Sequence, residues 1–391
     1  MRRLHGLIAL AHDAVDGVTH LVEEGHASVA RTVRRVAAAT PLAEPVAQVD
    51  ELRAGVTAGV LGAVRAVNGA VRVVTAVVVP ADGEAAAVPL RSDAVGGAPW
   101  LADAALGLVN GAVGDHLRAR GNGLDLELRL RMGDTLLPAE PDALRAAAAA
   151  LPAPARVVVL VHGLMTTEWS WWLDAERLHG DPADGMARRM EAAGFTPVFV
   201  RYNTGVTVEA NGRRLAEQLG ALLEAWPTGD VVLVGHSMGG LVVRSAVHLG
   251  PAWRGRVRRA VCLGSPHAGA PLARFGAAAA DALQAIDLPA TRVIGAILAR
   301  RSAGIQDLQR GEVGEAGLVD GVAWTFFSGG LSSTPDGALT RALGDILVPV
   351  ASAAGGALRP ELHRHLPGVA HHALQAHPDA LAAVMEALAP G

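Results

Sequence analysis

The chain has 391 residues, room for a catalytic domain and an appendage, and 34 basic against 38 acidic residues give a formal net charge of −4. That balance lacks the clustered positive field through which nucleic acid is held, so nucleic acid is excluded as a partner. Hydrophobic residues make up 51% but aromatics only 3%, which describes an Ala- and Val-rich aliphatic core, and the single cysteine, Cys262, rules out an intrachain disulfide and a cysteine zinc cage.

Apolar residues from Leu4 to Val36 recur near a helical period with charges between them, predicting an amphipathic helix, with Gly25 as the one candidate point for a break. Thr40-Pro41 and Glu44-Pro45 end it, because proline disfavours the helical conformation in the residue before it. A second helix is expected from Val46 to Val74, weakened by Gly55, Gly59, Gly62 and Gly69. The most apolar stretch, Ala54 to Pro80, is interrupted by Arg65, Asn68 and Arg72, too polar for a spanning helix. His5, His12 and Asp13 likewise spoil a secretory apolar region. The expectation is a cytoplasmic protein, with peripheral membrane contact left open.

Leu124 to Met132 alternate Leu with Asp, Glu and Arg, the pattern of a half-exposed strand, read as an edge strand. A Pro- and Ala-rich connector from Leu137 to Ala155, with a short helix ending in Ala146 to Ala150, follows. We therefore divide the chain into a helical N-terminal extension over residues 1–150 and a catalytic domain over 155–391. Past the boundary, short Val-rich runs alternate with helical segments: Arg156 to Val161, Thr196 to Arg201, Asp230 to Val234, Val257 to Leu263 and Val322 to Ser328. This is the pattern of βαβ units, and predicts a doubly wound, mostly parallel α/β sheet.

The chemistry starts at Gly235-His236-Ser237-Met238-Gly239, which lies between the apolar run Val231 to Val234 and a helical segment from Gly240 to Leu249. Strand, Gly-x-Ser-x-Gly and helix in that order form a nucleophile elbow, where glycines flank the serine because a Cβ on either would clash in so tight a reversal. The elbow aims the Met238 N–H at the place where an oxyanion forms. Upstream, Val157 to Val161 run into His162-Gly163-Leu164, a loop start that brings the Leu164 N–H towards the same point.

His162 precedes the serine and is read as structural, since the order of a triad in this context is serine, acid, histidine. Asp345, in Leu343-Gly344-Asp345-Ile346-Leu347-Val348-Pro349, is preferred as the acid over Asp336, whose Thr-Pro-Asp-Gly setting reads as a turn. His371 is preferred as the base, with His372 next, and His377 before Pro378 reads as the start of a C-terminal helix from Pro378 to Leu388. His363 and His365 add to the crowd, but no paired carboxylates stand at ligand spacing, so a metal is not favoured. Two segments stay open in reading. Apolar residues between Pro266 and Gly311 form either a cap over an acyl pocket or ordinary helices on the sheet, and Trp169, Trp171 and Trp172 either line an entrance or pack as core.

This ordered set, with Arg201-Tyr202-Asn203-Thr204-Gly205, Gly239-Gly240-Leu241-Val242-Val243-Arg244-Ser245-Ala246 and Leu263-Gly264-Ser265-Pro266-His267-Ala268-Gly269-Ala270-Pro271, resembles the lipase and esterase branch of the α/β hydrolases. It is most similar to actinobacterial serine hydrolases related to the inositol-deacylase-like lipases. The resemblance implies Ser237 as nucleophile, His371 as base, Asp345 as orienting acid, and Leu164 with Met238 as oxyanion donors. It implies a carboxylic, lipid or acyl ester as substrate and needs no metal or organic cofactor. His372, directly after the matched histidine, departs from the pattern. Acyl transfer and thioester hydrolysis are the competing activities for the same residues, and a membrane- or partner-binding module without catalysis is the competing class.

Overall fold

Six of the chain's predicted strand runs lie side by side in one eight-stranded sheet. The computed structural model describes residues 2–38, 98–270, 302–311, 316–330, 347–355 and 362–389, with Asp50, Ala54, Arg65, Asn68, Gly69, Val313 and Asp345. Its contacts divide into a smaller unit of residues 1–85, 120–124 and 295–297 and a larger one holding the remainder.

In the smaller unit, helix α1 (Arg2–Ala37) runs without interruption through Gly25, where the sequence had suggested a break. Asn68 is its buried polar tie, donating to the His12 carbonyl at 2.9 Å and to Asp16 Oδ1 at 2.8 Å. Apart from the isolated positions named above, the helix expected over Val46 to Val74 falls outside the described residues. No helix among the described residues is long and apolar enough to cross a membrane.

The larger unit begins with helix α2 (Ala98–Ala119), followed by strands β1 (Arg129–Met132) and β2 (Thr135–Leu136) and helix α3 (Pro141–Ala149). The sequence division placed this stretch in the N-terminal extension, but β1 is a sheet member, antiparallel to β4 on one side and β2 on the other. It is therefore an inner strand, and the two-residue β2 takes the edge. Leu128 and Leu130 are buried as the alternation predicts, yet Arg131 on the opposite face is fully buried as well, because it meets a carboxylate inside.

Among themselves β3 (Arg156–Val161), β4 (Thr196–Arg201), β5 (Asp230–His236), β6 (Val257–Leu263), β7 (Ala323–Gly330) and β8 (His363–Pro367) pair only in parallel, and the order across the sheet is β2-β1-β4-β3-β5-β6-β7-β8. Strand periodicity sorts β3 between two cores. Val157, Val159 and Val161 join one cluster with Leu144 and the apolar faces of two helices that follow β4 and β5. Val158 and Leu160 join the other, with residues of α4 (Met186–Ala192) and the C-terminal helix.

The helices of the first face are α5 (Val208–Ala225), capped by the Thr207 hydroxyl, and α6 (Met238–Leu249). A further helix, α7 (Ala303–Arg310), starts at a Ser302 cap and accepts the α5 Val208 N–H on Asp307 Oδ2 at 2.8 Å. The C-terminal helix α8 (Pro378–Leu388) starts with proline in its first turn behind His377, as expected. Strands covered by helices on both faces make this a doubly wound, mostly parallel α/β architecture with a helical N-terminal region.

Candidate active site

Ser237 sits between the end of β5 and the first turn of α6 with φ +54° and ψ −122°, a backbone conformation that costs an L-residue strain and is held by its surroundings. A Cβ on Gly235 would run into the backbone of Gly239 and Gly240, and one on Gly239 into the carbonyls of Val161 and His162. Both glycines are therefore required by close approach, as the elbow reading anticipates. The reversal leaves Ser237 as the residue preceding the first N–H groups of α6, so Met238 presents its N–H at a helix N-terminus.

The turn after β3 lies against the elbow: a Cβ on Gly163 would stand 3.0 Å from that of Ser237. Four contacts fix this turn. Tyr202 donates its hydroxyl to the His162 carbonyl at 2.7 Å, and Thr204 Oγ1 accepts the Met165 N–H at 3.1 Å. Thr166 donates to the Gly163 carbonyl at 2.9 Å, as His162 Nδ1 does at 3.0 Å. His162 is stacked on the Tyr202 ring, and burial lowers its pKa to about 4, so it stays neutral and structural.

The turn ends in a buried ionic group. Glu168 accepts from Arg131 at 2.9 Å and from Arg201 at 2.8 and 2.9 Å, and Arg201 also pairs with Asp103 of α2. Burial alone would raise the Glu168 pKa, but Arg201 and Arg131 outweigh it and hold the carboxyl below its ordinary value. Burial would lower Arg201, and Glu168 with Asp103 overcome that and hold the guanidinium charged. Two acids face two guanidinium groups, so the charges are paired inside the protein. The sequence motif Arg201-Tyr202-Asn203-Thr204-Gly205 thus acts on the turn through three of its side chains, a role invisible without the fold.

Asp345 is fully buried and accepts the His371 Nδ1–H at 2.8 Å on Oδ2, while Oδ1 accepts the N–H groups of Val348 at 2.8 Å and Leu347 at 3.2 Å. The His371 backbone N–H also binds the Asp345 carbonyl at 3.1 Å. His371 Nε2 is buried and has no hydrogen-bond partner among the described residues. Its ring is backed by His236, which donates Nε2–H to the His371 carbonyl at 3.0 Å, with ring centroids 4.8 Å apart. Burial first, then the neighbouring His371, push His236 well below the ordinary imidazole range, so its ring stays neutral.

His372 also borders the cavity in front of Ser237, but its side chain is 57% exposed and its Nε2 lies 3.5 Å from Asp174, so it is not held by Asp345. Asp336 lies outside the described residues, as do residues 271–301 of the expected cap. His363 and His365 each lie 2.8 Å from Ser328 Oγ, and no group of three metal-ligating side chains occurs among the described residues.

Ser237, His371, Gly163 and Leu164 open onto one cavity of about 250 Å³. Its other walls include Leu108, Met165, Leu173 and Leu347, an apolar lining not legible in the sequence because these residues come from three separate segments. Trp169 and Trp171 are buried away from it, and Trp172 packs on Phe199 at 5.0 Å between centroids. From the Trp-rich turn it is Ser170 and Leu173 that reach the cavity, Ser170 accepting from Gln375 Nε2 at 3.0 Å.

Residues 155–279 match the family model of the PGAP1-like alpha/beta domain, a span that holds the elbow and the turn after β3. No curated protein matches the chain. Among solved structures, a Bacillus licheniformis lipase in its mature form is 20% identical, with 62% of this chain and 95% of that chain covered and a TM-score of 0.44. A Bacillus subtilis carboxylesterase is 17% identical over 61% and 86% of the two chains, TM-score 0.38. An esterase from a Rhodococcus species is 16% identical over 61% and 92%, TM-score 0.40.

Proposed function

We propose that the protein is a serine hydrolase that cleaves carboxylic esters through an acyl-enzyme, within the lipase and esterase branch and beside the actinobacterial inositol-deacylase-like group. The observation that carries this reading is the His371 ring, anchored through Nδ1 on buried Asp345 and leaving Nε2, which has no partner among the described residues, at a cavity shared with the strained Ser237.

In this reading His371 Nε2 takes the Ser237 proton as the oxygen attacks the ester carbonyl, and Asp345 stabilises the resulting imidazolium without taking its proton. The oxyanion forms between the N–H groups of Leu164 and Met238, two donors worth about 3 kcal/mol each in a water-poor site. His371 then returns the proton to the leaving alcohol. A water activated by the same imidazole attacks the acyl-enzyme, releases the acid and restores Ser237. The apolar walls around the serine support an acyl or lipid ester over a charged substrate.

The test is hydrolysis of p-nitrophenyl esters of increasing acyl length, with thioesters alongside, by wild type and Ser237→Ala. The reading expects ester turnover in wild type alone. Turnover of thioesters but not oxygen esters would replace the proposal with a thioesterase, and equal turnover by both proteins would overturn it.

A further inference from the structure

Leu108 of α2 forms part of the cavity over Ser237, although α2 stands outside residues 155–279 and was read from sequence as extension. The same helix presents three glycines to the catalytic turns. A Cβ on Gly107 would stand 3.0 Å from the Thr166 carbonyl carbon and 3.2 Å from the Met165 carbonyl oxygen. On Gly111 it would run into Met165, at 2.9 Å from both its N and its Cα, and on Gly114 into the Asn203 amide. For Gly107 and Gly111 these neighbours include backbone atoms of Met165 and Thr166, in the turn that carries the Leu164 N–H, and for Gly114 they are the hydrogen-bonded Asn203 side chain, so an added methyl must displace them.

α2 is also tied to that turn chemically. Its regular helix breaks at Val113, with φ −139° and ψ 22°, and nearby carbonyls take outside partners: Gly111 from Ser302 Oγ at 2.7 Å and Gly114 from Asn203 Nδ2 at 2.8 Å. One turn before Gly107, Asp103 pairs with Arg201, which in turn binds Glu168 at the far end of the catalytic turn. Ion pair, glycine contacts and carbonyl acceptors fasten the helix along its length.

We propose that α2 is a wall of the catalytic site, in which Gly107 and Gly111 are positioning residues for the Gly163–Thr166 turn and Leu108 selects which esters fit over Ser237. The proposal rests on the serine-hydrolase reading. Glycine is needed at 107 and 111 because the helix axis must approach the turn closely enough for Leu108 to reach the cavity. A methyl at either position pushes the turn off the elbow and moves the Leu164 donor away from the oxyanion.

The experiment compares Gly107→Ala, Gly111→Ala, Leu108→Ala and Leu108→Phe with wild type and with Ala102→Ser, an exposed position on the same helix. Each variant is assayed on p-nitrophenyl butyrate and octanoate, for affinity to a trifluoromethyl ketone that forms an oxyanion adduct, and for thermal unfolding. The glycine variants are expected to lose about tenfold or more in kcat with KM changed by less than about threefold, and to lose ketone affinity in parallel. Gly107→Ala, whose contacts are the longer ones, carries this arm should Gly111→Ala not fold. Leu108→Ala and Leu108→Phe are expected to shift the octanoate-to-butyrate ratio of kcat/KM in opposite directions, by about tenfold between them. Ala102→Ser should match wild type.

A folded Gly107→Ala with wild-type kcat and ketone affinity, or a Leu108 pair with an unmoved ratio, would overturn the proposal while wild-type turnover leaves the serine-hydrolase reading standing. A wild type that turns over neither ester would remove that reading, and this inference with it.

Discussion

Replacing Asp345 by Asn tests the proposed triad at its least exposed member. The two backbone N–H groups of Val348 and Leu347 converge on Oδ1, so an asparagine at this position keeps its carbonyl oxygen there. Its amide nitrogen then takes the place of Oδ2 and faces His371 Nδ1 at the present 2.8 Å. Two donors cannot share that contact, so Nδ1 must become the acceptor and the ring proton moves to Nε2. An imidazole protonated at Nε2 cannot accept the Ser237 proton. The same exchange in a Ser–His–Asp triad lowers kcat by about 10⁴, which is about 5.5 kcal/mol of transition-state stabilisation. Steady-state hydrolysis of a p-nitrophenyl ester by wild type and Asp345→Asn reads the loss, with thermal unfolding showing that both are folded. A folded variant within tenfold of wild-type kcat would refute the argument that Asp345 sets the His371 tautomer.

Two other predictions follow from the same geometry. His371→Ala should lower kcat by about 10⁴ or more, while His372→Ala, removing an exposed ring, should stay within about threefold of wild type. Kinetics of the two variants side by side decide the matter, and the reverse order would transfer the role of base to His372. Stability should fall as pH drops below the ordinary histidine range, because burial holds His162 at about 4 and His267 at about 3 in the folded protein. Above pH 6.5 both states leave these rings neutral; below it the unfolded chain binds protons that the native one refuses, until the native rings titrate in turn. Each ring contributes a slope of at most about 1.4 kcal/mol per pH unit. Urea unfolding at pH 7, 6 and 5 should show a falling midpoint, and a constant one would contradict the burial argument.

How much of this was legible in the sequence depended on whether a signal was local. β3 and β4 match the predicted runs at both ends, since β-branched residues covered on both faces leave an uninterrupted apolar string. The elbow was readable for the same reason: its two glycines answer to backbone only a few residues away. β8 escaped notice, because His363-Arg364-His365 pairs with β7 alone and carries polar side chains. The first helix keeps its course through Gly25, the candidate break point, since one glycine costs a long helix only about 1 kcal/mol.

The parts that depend on distant contacts were hidden. Arg131 looked like the solvent face of a strand until Glu168, 37 residues on, supplied its partner. Gly107, Gly111 and Gly114 drew no structural reading in the sequence, because the neighbours that require them, Met165, Thr166 and Asn203, lie far along the chain. The adjacent His371 and His372 are alike in composition and differ only in where a short helical turn, His371–Gln375, directs them: one onto buried Asp345, the other towards Asp174 at the exposed rim of the cavity.

The central claim is that Ser237 is an activated nucleophile, and covalent labelling measures it most directly. Wild type and Ser237→Ala are treated with a fluorophosphonate, and intact mass followed by peptide mapping locates the adduct. The account predicts one adduct per wild-type chain, on the peptide containing Ser237, lost in Ser237→Ala and in heat-unfolded wild type. A wild type that takes no label, or a Ser237→Ala protein that takes it equally, would contradict it.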